Sequence, residues 1–210
     1  MSKEIHVIEK KELIIKAALK EFTEKGYGNA STNMIVEDAG VSKGVLFYHF
    51  GDKEGLFNYL VEYTVDILTE DIVDRVNLEN PDFFDFLHES VSVKLLTMTK
   101  YPLESQFYAN AYNTDIPDST RVLLDEHVTR SIKIMSDAYQ YFDASLLKDG
   151  MEVDMVMKMI EWASKGMIDD VIANENLEYD LENYERLTET IDENFNFLKK
   201  LFYKDSEEGK

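Results

Sequence analysis

Residues 31–50 read STNMIVEDAGVSKGVLFYHF, and this stretch decides the fold predicted for the start of the chain. Ser31 stands before an apolar-patterned helix over 32–39, Gly40 ends that helix, and Ser42 stands before a second short helix over 43–50. Two short helices joined by a tight turn that contains glycine are typical of a helix-turn-helix. We therefore predict this motif for residues 31–50.

The two predicted helices each have an apolar side and an outward side. The inward positions are apolar, namely Ile35, Val36, Ala39, Val41, Leu46 and Phe50. The outward positions of the second helix combine an amine, a glycine and three rings, namely Lys43, Gly44, Val45, Phe47, Tyr48 and His49. Exposed rings clustered on one helix indicate a binding surface. The alternative is a small helical hairpin with incidental exposed rings.

The rest of the chain is also predicted to be helical, because it has only three prolines and nine glycines and almost no alternating β-branched runs. The predicted helices cover 9–25, 32–39, 43–50, a long helix from 52, 82–99, 102–113, 117–142, 152–175 and 181–203. We expect an all-α fold with two domains. Residues 1–51 form a three-helix, helix-turn-helix domain, and residues 52–210 form a helical bundle for regulation, ligand binding and dimerisation.

The charge is unevenly distributed along the chain. The formal net charge is −20, whereas residues 1–57 contain eight Lys and nine Asp or Glu, a net of −1. Binding to phosphates depends on Lys and Arg, so only the near-neutral first part suits contact with a nucleic acid. An acidic body would orient the molecule head-first toward DNA, although a solvated surface that aids solubility explains the same pattern.

Composition also limits the chemistry and the location. The chain has no cysteine and four dispersed histidines, so we expect no disulfide, no metal site and no catalytic residue. No glycine-rich phosphate loop is present, and we expect no cofactor. No secretory signal and no apolar run of membrane-spanning length occurs, which predicts a cytoplasmic protein without a membrane partner.

Motifs within the helix-turn-helix and on both sides of it resemble those of the TetR family. The similar residues are Gly26-Tyr27, Ser31-Thr32, Ala39 to Gly44, Phe47 to Phe50, and Asp52 to Leu56, within a match over about residues 9 to 60. The resemblance implies a three-helix DNA-binding head, an all-helical ligand-binding body and a homodimer. It also implies a repressor that a small molecule, here apolar or aromatic, releases from a palindromic operator.

The resemblance further implies roles for individual residues. Thr32 would bind a phosphate, and Tyr48, His49 and Lys53 would hold the DNA backbone on the other side of the groove. Lys43 would reach a guanine edge or a phosphate, and Gly44 would let the helix approach the bases. Val45 and Phe47 would pack against thymine methyl groups or sugars.

Three positions depart from the family pattern. Phe47 stands where a tyrosine is frequent, Val45 where the family often has a polar residue, and Gly51 where a basic residue is common. Residues 1–57 also contain no arginine. We therefore expect few polar contacts to DNA and a shallow decline of affinity with salt.

The body carries apolar stripes on its last two helices. One stripe over 152–175 has Val153, Val156, Ile160, Ala163, Met167 and Val171, and the final helix has Tyr184, Thr188, Ile191, Phe195, Leu198 and Phe202. We predict that the helices near 152–175 and 181–203 pair with their two-fold mates as a four-helix bundle, although both stripes could instead be intramolecular core. A second stripe and other aromatic residues are predicted to line an effector cavity: Phe84, Phe107, Tyr108, Tyr112, Tyr139, Met155, Met159 and Trp162.

Two other classes of protein compete with the regulator. A helical carrier or sequestering protein for apolar ligands could keep this fold without binding DNA. An enzyme would need catalytic residues, and the sequence offers no convincing pair. His88-Glu89 and Glu126-His127 are adjacent in sequence, so on a helix they point to different sides.

Overall fold

The computed structural model describes residues 2–113, 115–160, 162–163, 166 and 181–204, and for residues 2–8, 112–113, 181–187 and 190 it describes the backbone alone. This part of the chain is helical and holds no β-strand beyond one isolated bridge. The helices are α1 (Ser2–Asn29), α2 (Thr32–Asp38), α3 (Lys43–Phe50), α4 (Lys53–Val73), α5 (Phe83–Lys100), α6 (Pro102–Asn113), α7 (Asp118–Ala138), α8 (residues 153–160) and α9 (Leu181–Phe202). None of the described helices is both long and apolar enough to cross a membrane.

These helices confirm the predicted all-α fold, with differences at the helix ends. Helix α1 begins at Ser2 rather than near residue 9, and Gly26 breaks its regular conformation with φ 70°. Only glycine adopts such a left-handed conformation without strain. Helix α7 ends at Ala138, and a 3₁₀ turn over Tyr139–Tyr141 replaces the last residues of the helix predicted to reach 142.

The two serines predicted to cap α2 and α3 occupy the N-cap positions, but neither side chain makes a capping hydrogen bond. The backbone N–H of Ser31 donates to the Glu21 carboxylate at 2.9 Å. That bond ties the start of α2 to α1. Ser42 is exposed, and its hydroxyl is available for a hydrogen bond to another molecule.

The chain separates into two compact units, and the first contains Met1–Asp71 with Tyr101–Lys133. Its core joins Ile14, Leu19 and Phe22 of α1 to residues of α2, α3 and α4, and then to α6 and the start of α7. The rings of Phe22, Phe57 and Phe107 contact one another, with centroid distances from 4.9 to 6.5 Å. This core includes residues on both sides of residue 51. The domain boundary predicted there stays a prediction.

The second unit contains Ile72–Lys100 with Ile134–Lys210. Its core includes Phe83, Phe84 and Phe86 of α5, Val156 and Ile160 of α8, and Ile191 and Phe195 of α9. The stripe predicted on the final helix as a dimer seam therefore packs, from Ile191 onward, into the chain's own core, which is the intramolecular alternative. The side chain of Tyr184 lies outside the described residues, as do Met167 and Val171 of the other predicted stripe.

The end of α9 is held against the start of α5. The hydroxyl of Tyr203 accepts a hydrogen bond from the Phe83 backbone N–H and donates one to the Asp82 carboxylate, each at 3.1 Å. Lys199 forms ion pairs of 2.8 and 2.7 Å with Asp82 and Asp85. Burial and the nearby Asp82 carboxylate raise the pKa of Tyr203, so the phenol stays protonated and keeps donating.

Candidate nucleic-acid interface

Helices α2 and α3 and their turn form the predicted helix-turn-helix. Gly40 adopts φ 63° in the turn, which a side chain would disfavour, and the Val41 N–H donates to the Val36 carbonyl at 3.0 Å. Ile35 and Leu46 are fully buried. Phe50 and Ala39 are also buried, and Val36 and Val41 pack partly buried against the same core. The inward positions predicted from the sequence are confirmed.

The opposite side of α3 is open to solvent. Tyr48 is 82% exposed and Phe47 38%, and Lys43 and Gly44 are exposed as well. Val45 and His49 are half-buried, so the outward surface is narrower than the six predicted positions. Neither Tyr48 nor His49 is part of the core.

Side chains on this face contact one another. The Lys43 amine lies 5.7 Å from the centre of the Phe47 ring, one helical turn away, which fits a cation–π contact. Tyr48 and His49 meet edge to face with centroids 5.2 Å apart. The ring of Phe47, which has no hydroxyl, thus contacts the amine of Lys43 on the exposed face.

Two predicted backbone contacts lie at the edges of this face. Thr32 is half-buried at the first position of α2. The Lys53 amine donates to the Gly28 carbonyl at 3.3 Å and lies 4.9 Å from the centre of the Tyr27 ring. Lys53 therefore ties α4 to the end of α1, which its sequence motif does not reveal.

A surface groove of about 370 Å³ opens beside α3. Its lining consists of Lys10, Ser42, Gly44, Val45, Tyr48 and His49. Four of these residues belong to α3, Ser42 directly precedes it, and Lys10 belongs to α1. None of the six is acidic. The helix-turn-helix pattern gave no signal for Lys10, which precedes it by more than 20 residues.

Helices α1 and α4 are bonded to α6 and α7 within the first unit. Ser119 at the start of α7 donates to the Glu54 carboxylate at 2.6 Å and accepts from the Asn58 amide at 3.2 Å. The buried Thr120 hydroxyl donates to the Asn58 carbonyl oxygen. The Asn110 amide on α6 donates to the Thr23 carbonyl of α1 at 3.0 Å. These bonds connect α4 to α7 and α1 to α6.

The residues predicted to line an effector cavity lie in different surroundings. Phe107 and Tyr108 belong to the first core, whereas Phe84 and Tyr139 belong to the second. Met155, Met159 and Trp162 are 53%, 48% and 66% exposed, because the adjacent Val156 and Ile160 take the core-facing side of α8. The described residues therefore do not enclose these three in a cavity. The side chain of Tyr112 lies outside the described residues.

Two helical segments of the second unit carry exposed apolar residues. Met155, Met159 and Trp162 follow one another at spacings of four and three, which places them on one helical face. Phe197 and Leu201 on α9 are exposed and lie four residues apart. We call these five residues the apolar stripe. Exposed Met and aromatic residues are enriched at interaction surfaces.

No group of three metal-ligating side chains occurs among the residues that the structure describes. The imidazole Nε2 of His88 contacts the Asp192 carboxylate and so joins α5 to α9.

Comparison with known proteins gives one family and several relatives. Residues 14–60 match the family model "Bacterial regulatory proteins, tetR family". The chain is 29% identical over 126 residues to the HTH-type transcriptional repressor AcnR of Corynebacterium glutamicum, which covers 56% of this chain and 65% of that protein. It is 36% identical over 81 residues to AcnR of Corynebacterium efficiens, covering 35% of this chain and 43% of that protein. The chain thus matches less than two thirds of the length of each.

A solved structure extends the likeness of fold along the chain. The crystal structure of a TetR family transcriptional regulator from Chloroflexus aurantiacus superposes with a TM-score of 0.64 at 18% identity, covering 94% of both chains. The sequence match covers the helix-turn-helix, and the structural match covers the fold of the helices after it. Residues 14–60 are thus similar to the DNA-binding domain of the TetR family of bacterial regulatory proteins, and the chain has the fold of a solved TetR family regulator.

Proposed function

We propose that this protein is a DNA-binding transcriptional regulator, a repressor that leaves a palindromic operator when a small apolar or aromatic effector binds. The observation that carries the proposal is the exposed face of α3, where Lys43, Gly44, Phe47 and Tyr48 point to solvent while Leu46 and Phe50 hold the helix on the core. A helix held in this way can enter the major groove of DNA. The related AcnR proteins are named as repressors.

The proposed contacts are those that the family resemblance implies, with a changed role for Lys53. Lys43 reads a guanine edge, and Val45 and Phe47 pack on thymine methyl groups where Gly44 allows close approach. Tyr48 and His49 contact phosphates on one side of the groove, and Thr32 does so on the other. The contribution of Lys53 is mainly to hold the head together, because its amine is already bonded to the Gly28 carbonyl.

We place the homodimer interface on the apolar stripe rather than on the stripe of α9 that faces the core. Dimer interfaces are rich in Met and aromatic residues, as is this surface.

A glutamate at Trp162 introduces a charge that the interface would have to desolvate. We expect Trp162→Glu to shift the protein from dimer to monomer at micromolar concentration, as measured by light scattering.

The matched control is Leu13→Glu, which places the same charge on an exposed apolar position of α1. We expect this variant to remain dimeric. A Trp162→Glu protein that stays fully dimeric would show that the interface lies elsewhere.

The effector response is proposed to act through the bonds between the head and the following helices. Glu54, Asn58 and Ser119 connect α4 to α7, and Phe107 of α6 packs on Phe22 and Phe57. A shift of α6 or α7 would therefore carry the head with it. Two recognition helices must sit about 34 Å apart to enter successive major grooves, so a changed separation releases DNA. The effector acts only through its different affinities for the two states.

We propose no enzymatic activity for the chain. A regulator that binds a bacterial operator works in the cytoplasm, and we propose that location for this protein. Its test is an electrophoretic mobility shift with the DNA upstream of the protein's own gene, repeated with candidate effectors. We expect a shifted duplex and its release by an effector. A protein that binds an apolar ligand but shifts no duplex would be a carrier, and the regulator proposal would be wrong.

A further inference from the structure

We propose that Lys10 and Ser42 form an additional phosphate clamp, which binds the operator backbone in the groove beside α3. The inference rests on the proposed DNA-binding function and adds α1 to its contact surface. The groove is continuous with the proposed interface, because Gly44, Val45, Tyr48 and His49 also line it.

The charge of the groove suits an anion. Lys10 is its cationic side chain, none of the other lining residues is acidic, and the described residues show no carboxylate paired with the Lys10 amine. Two other amines of the first unit have partners, since Lys11 lies 4.2 Å from the centre of the Tyr59 ring and Lys53 bonds to Gly28. Lys10 is thus positioned to neutralise a phosphate.

Ser42 supplies a second donor. A serine at an N-cap commonly accepts a hydrogen bond from the following turn, which satisfies one of the helix's free N–H groups. The Ser42 side chain makes no such bond, although it stands at the N-cap of α3 and lines the groove. Its hydroxyl is free to donate to a phosphate oxygen, and hydroxyls are frequent partners of DNA phosphates.

The groove has room for more than a solvent molecule. A volume of about 370 Å³ is far more than a single water needs. It is open to solvent, so a backbone segment can pass across it. Deoxyribose fits against Val45 and the rings of Tyr48 and His49, while its phosphate meets Lys10 and Ser42.

The test compares Lys10→Gln with Lys20→Gln, which removes the same charge from an exposed position of α1 outside the groove. Binding to a duplex that the wild type shifts is followed by fluorescence anisotropy from about 50 to 200 mM salt. We expect Lys10→Gln to weaken binding several-fold at low salt and to lower the slope of log affinity against log salt by about one for each bound head. Lys20→Gln should keep the wild-type slope, and Lys10→Arg should restore it.

A phosphate contact carries no sequence information, so the loss in Lys10→Gln should be equal on the bound duplex and on a scrambled one. A loss confined to the bound duplex would make Lys10 a base reader and overturn the clamp. A Lys10→Gln slope equal to that of the wild type would overturn it as well, while the regulator proposal stands. A wild type that shifts no duplex would overturn both.

Discussion

We expect the Gly44→Leu variant to lose about 100-fold or more of its affinity for operator DNA while remaining folded. Gly44 is exposed on α3, and a β-carbon added there meets only the Ser42 hydroxyl oxygen, at 3.9 Å. Leucine is also a far better helix former than glycine. Its side chain would project into the space that the bases must enter. Loss of two base contacts, at about 1 to 3 kcal/mol each, gives an effect of this size.

The measurement is fluorescence anisotropy with the shifted duplex, together with the midpoint of thermal unfolding. Gly44→Ala is the graded control, since a methyl group should cost less affinity than an isobutyl group. If Gly44→Leu binds the duplex as tightly as the wild type, α3 does not approach the bases at this position.

We expect the Gly55→Ala variant to destabilise the head by about 1 to 3 kcal/mol or more, as overpacking of a core does. A β-carbon at Gly55 would lie 2.2 Å from the carbonyl oxygen of Phe50. Phe50 ends α3, and its carbonyl cannot rotate away as a side chain could. The Gly55 N–H also donates to the Asp52 carboxylate at 2.7 Å, which fixes the start of α4. The ends of the two helices must therefore separate.

Urea unfolding of the purified protein measures this change. Gly28→Ala is the control, because no atom lies within 4 Å of a β-carbon built there and the residue is helical. That variant should be as stable as the wild type, or more stable by about 1 kcal/mol. Equal stability of Gly55→Ala and the wild type would show that the approach of α4 to Phe50 is not required.

Local periodicity is sufficient to predict the helices and the orientation of α3. The spacing of Leu46 and Phe50 identifies the core-facing side, so the exposed side follows by elimination. Glycine marks the breaks at 26 and 40 because both require positive φ. These signals lie within a few residues of the features that they predict.

Local periodicity does not predict the contacts between segments that are distant in sequence. Helix α8 has two adjacent apolar stripes, and periodicity does not tell which one packs on α5 and α9. The structure assigns that side to Val156 and Ile160 and exposes Met155 and Met159. Similarly, the sequence motif predicts that the amine of Lys53 contacts DNA. The structure shows that this amine donates a hydrogen bond to the Gly28 carbonyl, a contact that the motif does not predict.

The central claim is that two copies of α3 read one duplex, and a binding-site selection from a pool of random duplexes tests it most directly. The account predicts enrichment of an inverted repeat whose half-site centres are about 10 base pairs apart, or a multiple of that spacing, with no enrichment by Gly44→Leu in parallel. Enrichment of no sequence by the wild type, or of the same sequences by Gly44→Leu, would contradict it.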